Sequence, residues 1–250
     1  MQLAQIRQFE AVGFRSWPAS SVHYDGSWAI RMTASHPSKR LNSVNPLDPG
    51  DTDNLEQRVA RAAQRFRAYG RPPIFRQSPL APEALDRYLE ELGWARFDES
   101  MVMVVDLANV DLSDAIDQIP LKDIGRFIDA ALQVQEDNAA LKPGLFEVIN
   151  AIRPSKGLFV IEEGAVPVST AICVQDGALA GLFNIGTAAN RRRVGLGRTI
   201  IKSALKWALQ HGAKKAWLQV EVANTGAVAL YEQMGFNEAY RYAYRQAPET

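Results

Sequence analysis

Cysteine is nearly missing from this sequence of 250 residues. Cys173 is the only thiol, which excludes an intrachain disulfide and suits a reducing compartment. It sits inside the apolar run STAICVQ, so it reads as a packing thiol and not as a nucleophile. Net charge is missing too: 28 Lys and Arg stand against 28 Asp and Glu. A chain without a basic excess is not expected to bind nucleic acid. Histidine is scarce, and His23, His36 and His211 lack metal-ligand spacing, so no metal site is expected. His211 reads as a partner for a helix C-terminal dipole. No run is long and apolar enough to span a bilayer, and the N-terminus lacks the charged-then-apolar pattern of a signal peptide. The expectation is a cytoplasmic protein without a membrane partner. The 47% of apolar residues suffices for a core, and the length allows one large or two small domains.

Apolar spacing predicts helices over residues 3–17, 53–69, 82–94, 121–134, 145–152, 196–211 and 225–234. Strands are predicted over 27–33, 40–44, 73–77, 101–107, 157–163, 166–175, 178–188, 216–223 and 237–245. Asp176-Gly177 is a hairpin signal between two of these. The polar, acidic stretch around 106–117 marks a domain boundary, giving units of 1–110 and 115–250. A repeat links the two. ALDRYLEELGW, ending in Gly93-Trp94, aligns with GAVALYEQMGF, ending in Gly235-Phe236, and the order of elements before each is also alike.

The stretch richest in chemical meaning is NRRRVGLGRT, residues 190–199. It lies between a predicted strand and a predicted helix. Gly195 and Gly197 permit positive φ and close approach of backbone N–H groups to a ligand. A helix N-terminus adds unpaired N–H donors and partial positive charge, a combination that binds phosphate. Arg191, Arg192, Arg193 and Arg198 supply guanidinium groups that match phosphate oxygens bidentately. The alternative is a surface turn with a basic rim.

Arg192-Arg193-Val194-Gly195-Leu196-Gly197, followed by Asn224, Ala227, Leu230, Tyr231, Gly235 and Phe236, resembles the two signatures of the GNAT superfamily of acyl-CoA-dependent N-acyltransferases. The resemblance covers about residues 115–245. It implies an α/β fold with two GNAT-like units in tandem, each a mixed, mostly antiparallel sheet flanked by helices. It also implies acetyl-CoA as co-substrate and transfer of its acetyl group to a primary amine, here expected on a small molecule. Backbone groups of Ile185, Gly186 and Thr187 would pair with the pantetheine arm. Backbone N–H groups from Arg193 to Arg198 would hold the pyrophosphate, and Asn224 would contact the cofactor or cap a helix. Tyr231 would give a proton to the leaving thiolate.

An alkylamine of pKa about 10.4 needs about 4–5 kcal/mol of help to lose its proton at neutral pH. Glu221 is the base candidate by position, and the other reading is an outward-facing strand residue. Asn184 is a candidate for ordering a water, and Glu162 and Glu163 read as solvated. The first unit has no Gly-x-Gly and carries Leu89 where the second has Tyr231, so it is expected to be a degenerate copy. A non-catalytic acyl-CoA-binding sensor is the rival to an enzyme. Neither the acceptor nor the oligomeric state is legible.

Overall fold

Residues 168–174 are seven buried positions in a row, and they form the middle of β7 (Val166–Asp176). Successive side chains of a strand point to opposite faces, so a continuous buried run needs cover on both. In the computed structural model, which describes residues 1–248, α4 (Ile124–Gln135) and α6 (Leu196–Gln210) both pack against this strand.

These elements belong to a unit made of Val102–Val220 and Asn224–Glu238. Its strands β6 (Ser155–Glu163), β7 and β8 (Leu179–Thr187) form an antiparallel meander. β9 (Lys215–Glu221) then pairs parallel to β8. With β5 (Ala95–Asp106), which enters this unit at Val102, the order is β5-β9-β8-β7-β6. Two further helices are α5 (Lys142–Ala151) and α7 (Thr225–Gln233). Cys173 is fully buried in β7, where desolvation pushes its thiol pKa up, as suits a packing residue.

The other unit contains Met1–Met101, Glu221–Ala223 and the C-terminal segment from Ala239. Its helices are α1 (Leu3–Ser16), α2 (Leu55–Ala68) and α3 (Glu83–Glu91). Its strands are β1 (Ser21–Asp25), β2 (Trp28–Met32), β3 (Ser43–Pro46), β4 (Ile74–Gln77) and β10 (Asn237–Gln246). They stand in the order β1-β2-β3-β4-β10, so the last strand of the chain completes the sheet begun by the first. Trp28, Ile30, Val44, Phe66, Phe75, Leu85, Leu89 and Trp94 form its apolar core. Phe75 sits edge-on to both Trp28 and Trp94, with ring centroids 5.5 Å apart in each pair.

The pairing pattern of the first four strands recurs: antiparallel, antiparallel, parallel in both units. α3 and α7 also end alike. Trp94 N–H donates to Leu89 O at 2.9 Å, and Phe236 N–H donates to Tyr231 O at 3.0 Å. Gly93 and Gly235, at φ +73 and +88, make each turn possible in the left-handed region.

Several boundaries differ from expectation for physical reasons. The strand expected over 40–44 begins later: Lys39–Leu41 is a 3-10 turn closed by the Asn42 side chain, whose amide donates to His36 O and Ser38 O. Asn42 Oδ1 also accepts Thr33 N–H, so this residue is committed to the fold. β1, not expected from the sequence, has an exposed middle and pairs only through its backbone with β2. Pro143-Gly144 does not precede α5 but opens it, because the first helical turn needs no N–H from proline. Leu209 of α6 is 47% exposed, since it lies about 110° from the centre of the helix's buried face.

Candidate active site

β8 keeps company with β9 only from Leu179 to Leu182, opposite Lys215 to Leu218. Beyond that point the two strands part. The cause lies in β8, where the register to β7 shifts between Thr170 and Ile172 and Asn184 takes φ +48. A bulge of this kind bends the strand and re-aims its edge. The Asn184 side chain is held by Gln135 of α4, which donates to Asn184 Oδ1. That contact takes one of the two side-chain groups of Asn184 and leaves Nδ2 outside it.

The three residues expected to meet a pantetheine arm follow the bulge. They do not all face one way. Gly186 O accepts a hydrogen bond from Ser169 Oγ at 2.7 Å, which turns Gly186 toward β7. Alternation then turns the backbone groups of Ile185 and Thr187 toward the edge that β9 has left. Thr187 O is taken by Arg192 Nε at 3.3 Å. The open strand edge is therefore built from Ile185 and the Thr187 N–H. Gly186 contributes space: a Cβ there would stand 2.9 Å from Gln135 Cγ.

After Thr187 the chain makes a short 3-10 turn, Ala189–Arg191, and reaches the loop. Arg193 at φ +66 and Gly195 at φ +91 are both left-handed. Such turns aim consecutive backbone N–H groups into one concavity suited to an anion. Gly195 is the N-cap of α6, and no side chain caps the helix. The first helical hydrogen bond is Thr199 N–H to Gly195 O, so the amides of Leu196, Gly197 and Arg198 have no intrahelical acceptor. A Cβ on Gly197 would stand 3.4 Å from Leu230 Cδ2 and 3.5 Å from Thr187 Oγ1, ordinary contact distances that leave room for a small side chain.

The arginines divide their work. Arg191 pairs with Glu163 at 2.5 Å and Arg198 donates to Gln233 at 2.9 Å. Glu162 is paired too, with Arg126 at 3.0 Å, so neither glutamate of the β6 end is simply solvated. Arg193 is exposed, with its Nη2 3.7 Å from where a Cβ on Gly226 would be. Val194 projects into solvent. The arrangement fits a phosphorylated group: an uncapped helix N-terminus, two left-handed residues before it and cations at its rim.

α7 lies beside the first turn of α6, with Leu230 next to Gly197 and Gln233 bonded to Arg198. Asn224 is its N-cap, accepting Ala227 N–H at 3.2 Å through Oδ1, which leaves the side-chain amide as a donor. Tyr231 is 7% exposed and packs edge-on to Phe236 at 6.0 Å. Burial pushes its phenol pKa up to about 12, because the phenolate would lose hydration. Its hydroxyl makes no hydrogen bond among the described residues, so it is available to a ligand. Glu221 is the exposed last residue of β9 and lies within electrostatic reach of Lys39. His211 is a dipole partner as expected, with Nδ1 2.8 Å from Trp207 O and its ring on that indole. Among the described residues no group of His, Cys, Asp and Glu is placed to hold a metal. No helix among the described residues is long and apolar enough to cross a membrane.

Sequence reasoning missed Ser169, Gln135 and the pairing of Glu163 with Arg191, which hold β8 and the loop in shape. Nothing in their local sequence marks them, since each acts across elements far apart in the chain.

A strand pair that parts beside an uncapped, glycine-opened helix, with a buried tyrosine on the next helix, defines a GCN5-related N-acetyltransferase. The family model described as "Probable histone acetyltransferase Rv0428c C-terminal" matches residues 3–245, and the chain belongs to that family. It is 27% identical over 248 residues to an uncharacterized N-acetyltransferase, YobR, of Bacillus subtilis, covering 96% of this chain and 98% of that one. A segment of 60 residues is 42% identical to the ribosomal protein bS18 alanine N-acetyltransferase of Escherichia coli, covering 24% of this chain and 40% of that enzyme. Among solved structures, a GCN5-related N-acetyltransferase from Kribbella flavida superimposes with a TM-score of 0.68 at 17% identity, covering 98% and 96% of the two chains. A tandem GNAT protein from the clavulanic acid biosynthesis pathway does so at 0.63 and 15% identity, covering 96% and 88%. The protein is thus an acetyltransferase of the GNAT type, acting on an acceptor substrate.

Proposed function

We propose that this chain moves the acetyl group of acetyl-CoA to the primary amine of a small molecule, using the unit built around β7. The co-substrate supplies an acyl group already activated as a thioester. In this reading Ile185 and Thr187 hold the pantetheine edge-on. The N–H groups of the 193–198 loop and helix hold the pyrophosphate, with Arg192, Arg193 and Arg198 around it, and Asn224 offers its amide. Tyr231 holds a proton at its hydroxyl and donates it toward the departing sulfur. Glu221 is assigned the amine proton on sequence position.

The observation that favours catalysis over mere binding is the Tyr231 hydroxyl, which tips a buried ring and has no protein partner. A sensor has no use for such a group, and the first unit carries Leu89, fully buried in its apolar core, at the corresponding place. The test is release of free CoA from acetyl-CoA across a set of small primary amines, with lysine-bearing peptides in parallel. Turnover with a small amine supports the reading. Tight binding without turnover on any amine favours the sensor, and turnover on peptides alone favours a protein acceptor. The last outcome has its own motive in the family description and in the ribosomal substrate of the Escherichia coli relative.

The tandem reading, with residues 1–110 as a degenerate copy of 115–250, is part of the same proposal. It is supported by the shared strand pattern and the shared ending of α3 and α7. In the first unit, the chain before α2 enters through Asn54 at φ +52, after a loop rich in aspartate. Asp51 there is occupied by Arg58 at 2.7 Å and by Ser27, and these hydrogen bonds hold its carboxyl well below the usual range. Anionic groups in that place repel phosphate. Calorimetric titration with acetyl-CoA is therefore expected to give one site per chain, and two equivalent sites would show that the first unit is not degenerate.

A further inference from the structure

One face of the first unit's sheet is buried and yet not apolar. Strand alternation turns Trp28, Ile30, Val44 and Phe75 into the core on one side. The residues between them, Arg31, Ser43, Asn45 and Arg76, turn to the other side, where α1 lies, and none is more than 4% exposed. Tyr244, opposite Arg76 in β10, is equally buried. α1 meets this face with Glu10, itself 3% exposed, and with Phe14, whose ring lies 4.4 Å from the Arg31 guanidinium.

The hydrogen bonds do not close. Arg76 donates through Nη1 to Glu10 Oε2, and Tyr240 donates to Glu10 Oε1 at 2.7 Å. The Arg76 guanidinium carbon lies over the Tyr242 ring, 3.6 Å from its centroid. Its Nε and Nη2 are buried without a hydrogen-bond partner. Arg31 gives Nη1 to Arg40 O at 2.8 Å and Nη2 to Trp17 O, and its Nε is also unpartnered. Tyr244 Oη and Asn45 Oδ1 are likewise buried without a partner, as is Ser16 Oγ of α1. Two guanidinium groups face one carboxylate, which leaves one buried positive charge in excess. Arg31 has its pKa lowered to about 10 by burial and by Arg76, and remains a cation at neutral pH. Buried donors without acceptors and an unbalanced buried charge are both costly.

Nε and Nη2 of Arg76 form one edge of a planar guanidinium, with two parallel N–H bonds spaced to meet two oxygens of one carboxylate. We propose that the interior of this unit, between α1 and the sheet, binds a small monocarboxylate on the open edge of Arg76, with Arg31 Nε and the Tyr244 hydroxyl beside it. One negative charge balances the excess, and the oxygens satisfy donors from two strands and from β10. The site is separate from the acetyl-transfer site and does not depend on it.

The test is thermal unfolding of the full chain in sodium acetate and in sodium chloride at matched ionic strength. Acetate is expected to raise Tm saturably beyond chloride, in the wild type and equally in Gly197→Asp, which removes acetate binding at the cofactor loop as a cause. Arg76→Lys keeps the charge and loses the edge, and is expected to abolish the acetate-specific shift. Tyr244→Phe keeps every charge and the ring, so it reads the site even where Arg76→Lys does not fold. It is expected to weaken the apparent acetate affinity about tenfold. Coinciding acetate and chloride curves overturn the proposal. So does an unchanged acetate shift in Arg76→Lys or in Tyr244→Phe, and so does stronger stabilisation by sulfate, which would contradict the single excess charge.

Discussion

Replacing Tyr231 by Phe is expected to lower kcat by about ten- to a thousandfold while leaving the acetyl-CoA KM little changed. The substitution keeps the edge-on contact with Phe236 and nearly all of the buried ring surface. Only a hydroxyl without a protein partner is removed, so no buried group loses its hydrogen bond and the fold is not taxed. With the phenol raised to about 12 and a thiol near 8.5, complete proton transfer to a thiolate is uphill. In the proposed reaction the hydroxyl would therefore serve chiefly as a hydrogen-bond donor to the sulfur as charge develops on it. The raised pKa also fixes the sign of the pH dependence. Burial favours the neutral, donating form, so this phenol causes no loss of activity until pH approaches about 12. Steady-state kinetics under conditions where chemistry limits the wild type check the claim. Full kcat in the Phe variant would make Tyr231 a packing residue, and loss of acetyl-CoA binding would make it a cofactor contact.

How much of this site was legible beforehand depended on whether its parts are local. The loop from Arg192 to Arg198 was, because a glycine-opened helix start is written in consecutive residues. The ending of α7 at Gly235-Phe236 was legible for the same reason, and α3 ends in a like way. The behaviour of β8 was not. Which carbonyl faces outward depends on a bulge set by Asn184 at φ +48 and on Ser169 reaching across from β7. Neither is visible in the period of the strand itself. β10 illustrates a second limit. Its alternation announced a strand, but nothing in NEAYRYAYRQ says that the partner is β4, with residues 74–77 of the sequence opposite residues 243–246. The first unit was the least legible. Nothing in the local sequence singles out Arg31, Asn45 or Arg76, and only the fold shows them shut beneath α1.

The loop offers the second large effect, because there stability and binding are expected to move apart. Gly197 sits in the first turn of α6 with ordinary helical φ, and a Cβ there would meet Leu230 and Thr187 at normal contact distances. The backbone therefore accepts a side chain. A carboxylate in the first turn of a helix also interacts favourably with the free N–H groups and the dipole, by about 0.3–1 kcal/mol. Gly197→Asp is accordingly expected to fold as well as the wild type or slightly better, and Tm measured without ligand checks this half. The same carboxylate occupies the amides proposed for the pyrophosphate and sets a negative charge against it. CoA binding is expected to weaken at least about tenfold, or ~1.4 kcal/mol. Gly197→Ala separates bulk from charge: it adds the Cβ alone and is expected to keep most of the affinity. Equal CoA affinity for Gly197→Asp and wild type, in a variant with undiminished Tm, would mean that the helix N-terminus does not hold phosphate. The acyl donor would then have to be bound elsewhere on the open edge of β8, through Ile185 and Thr187 alone.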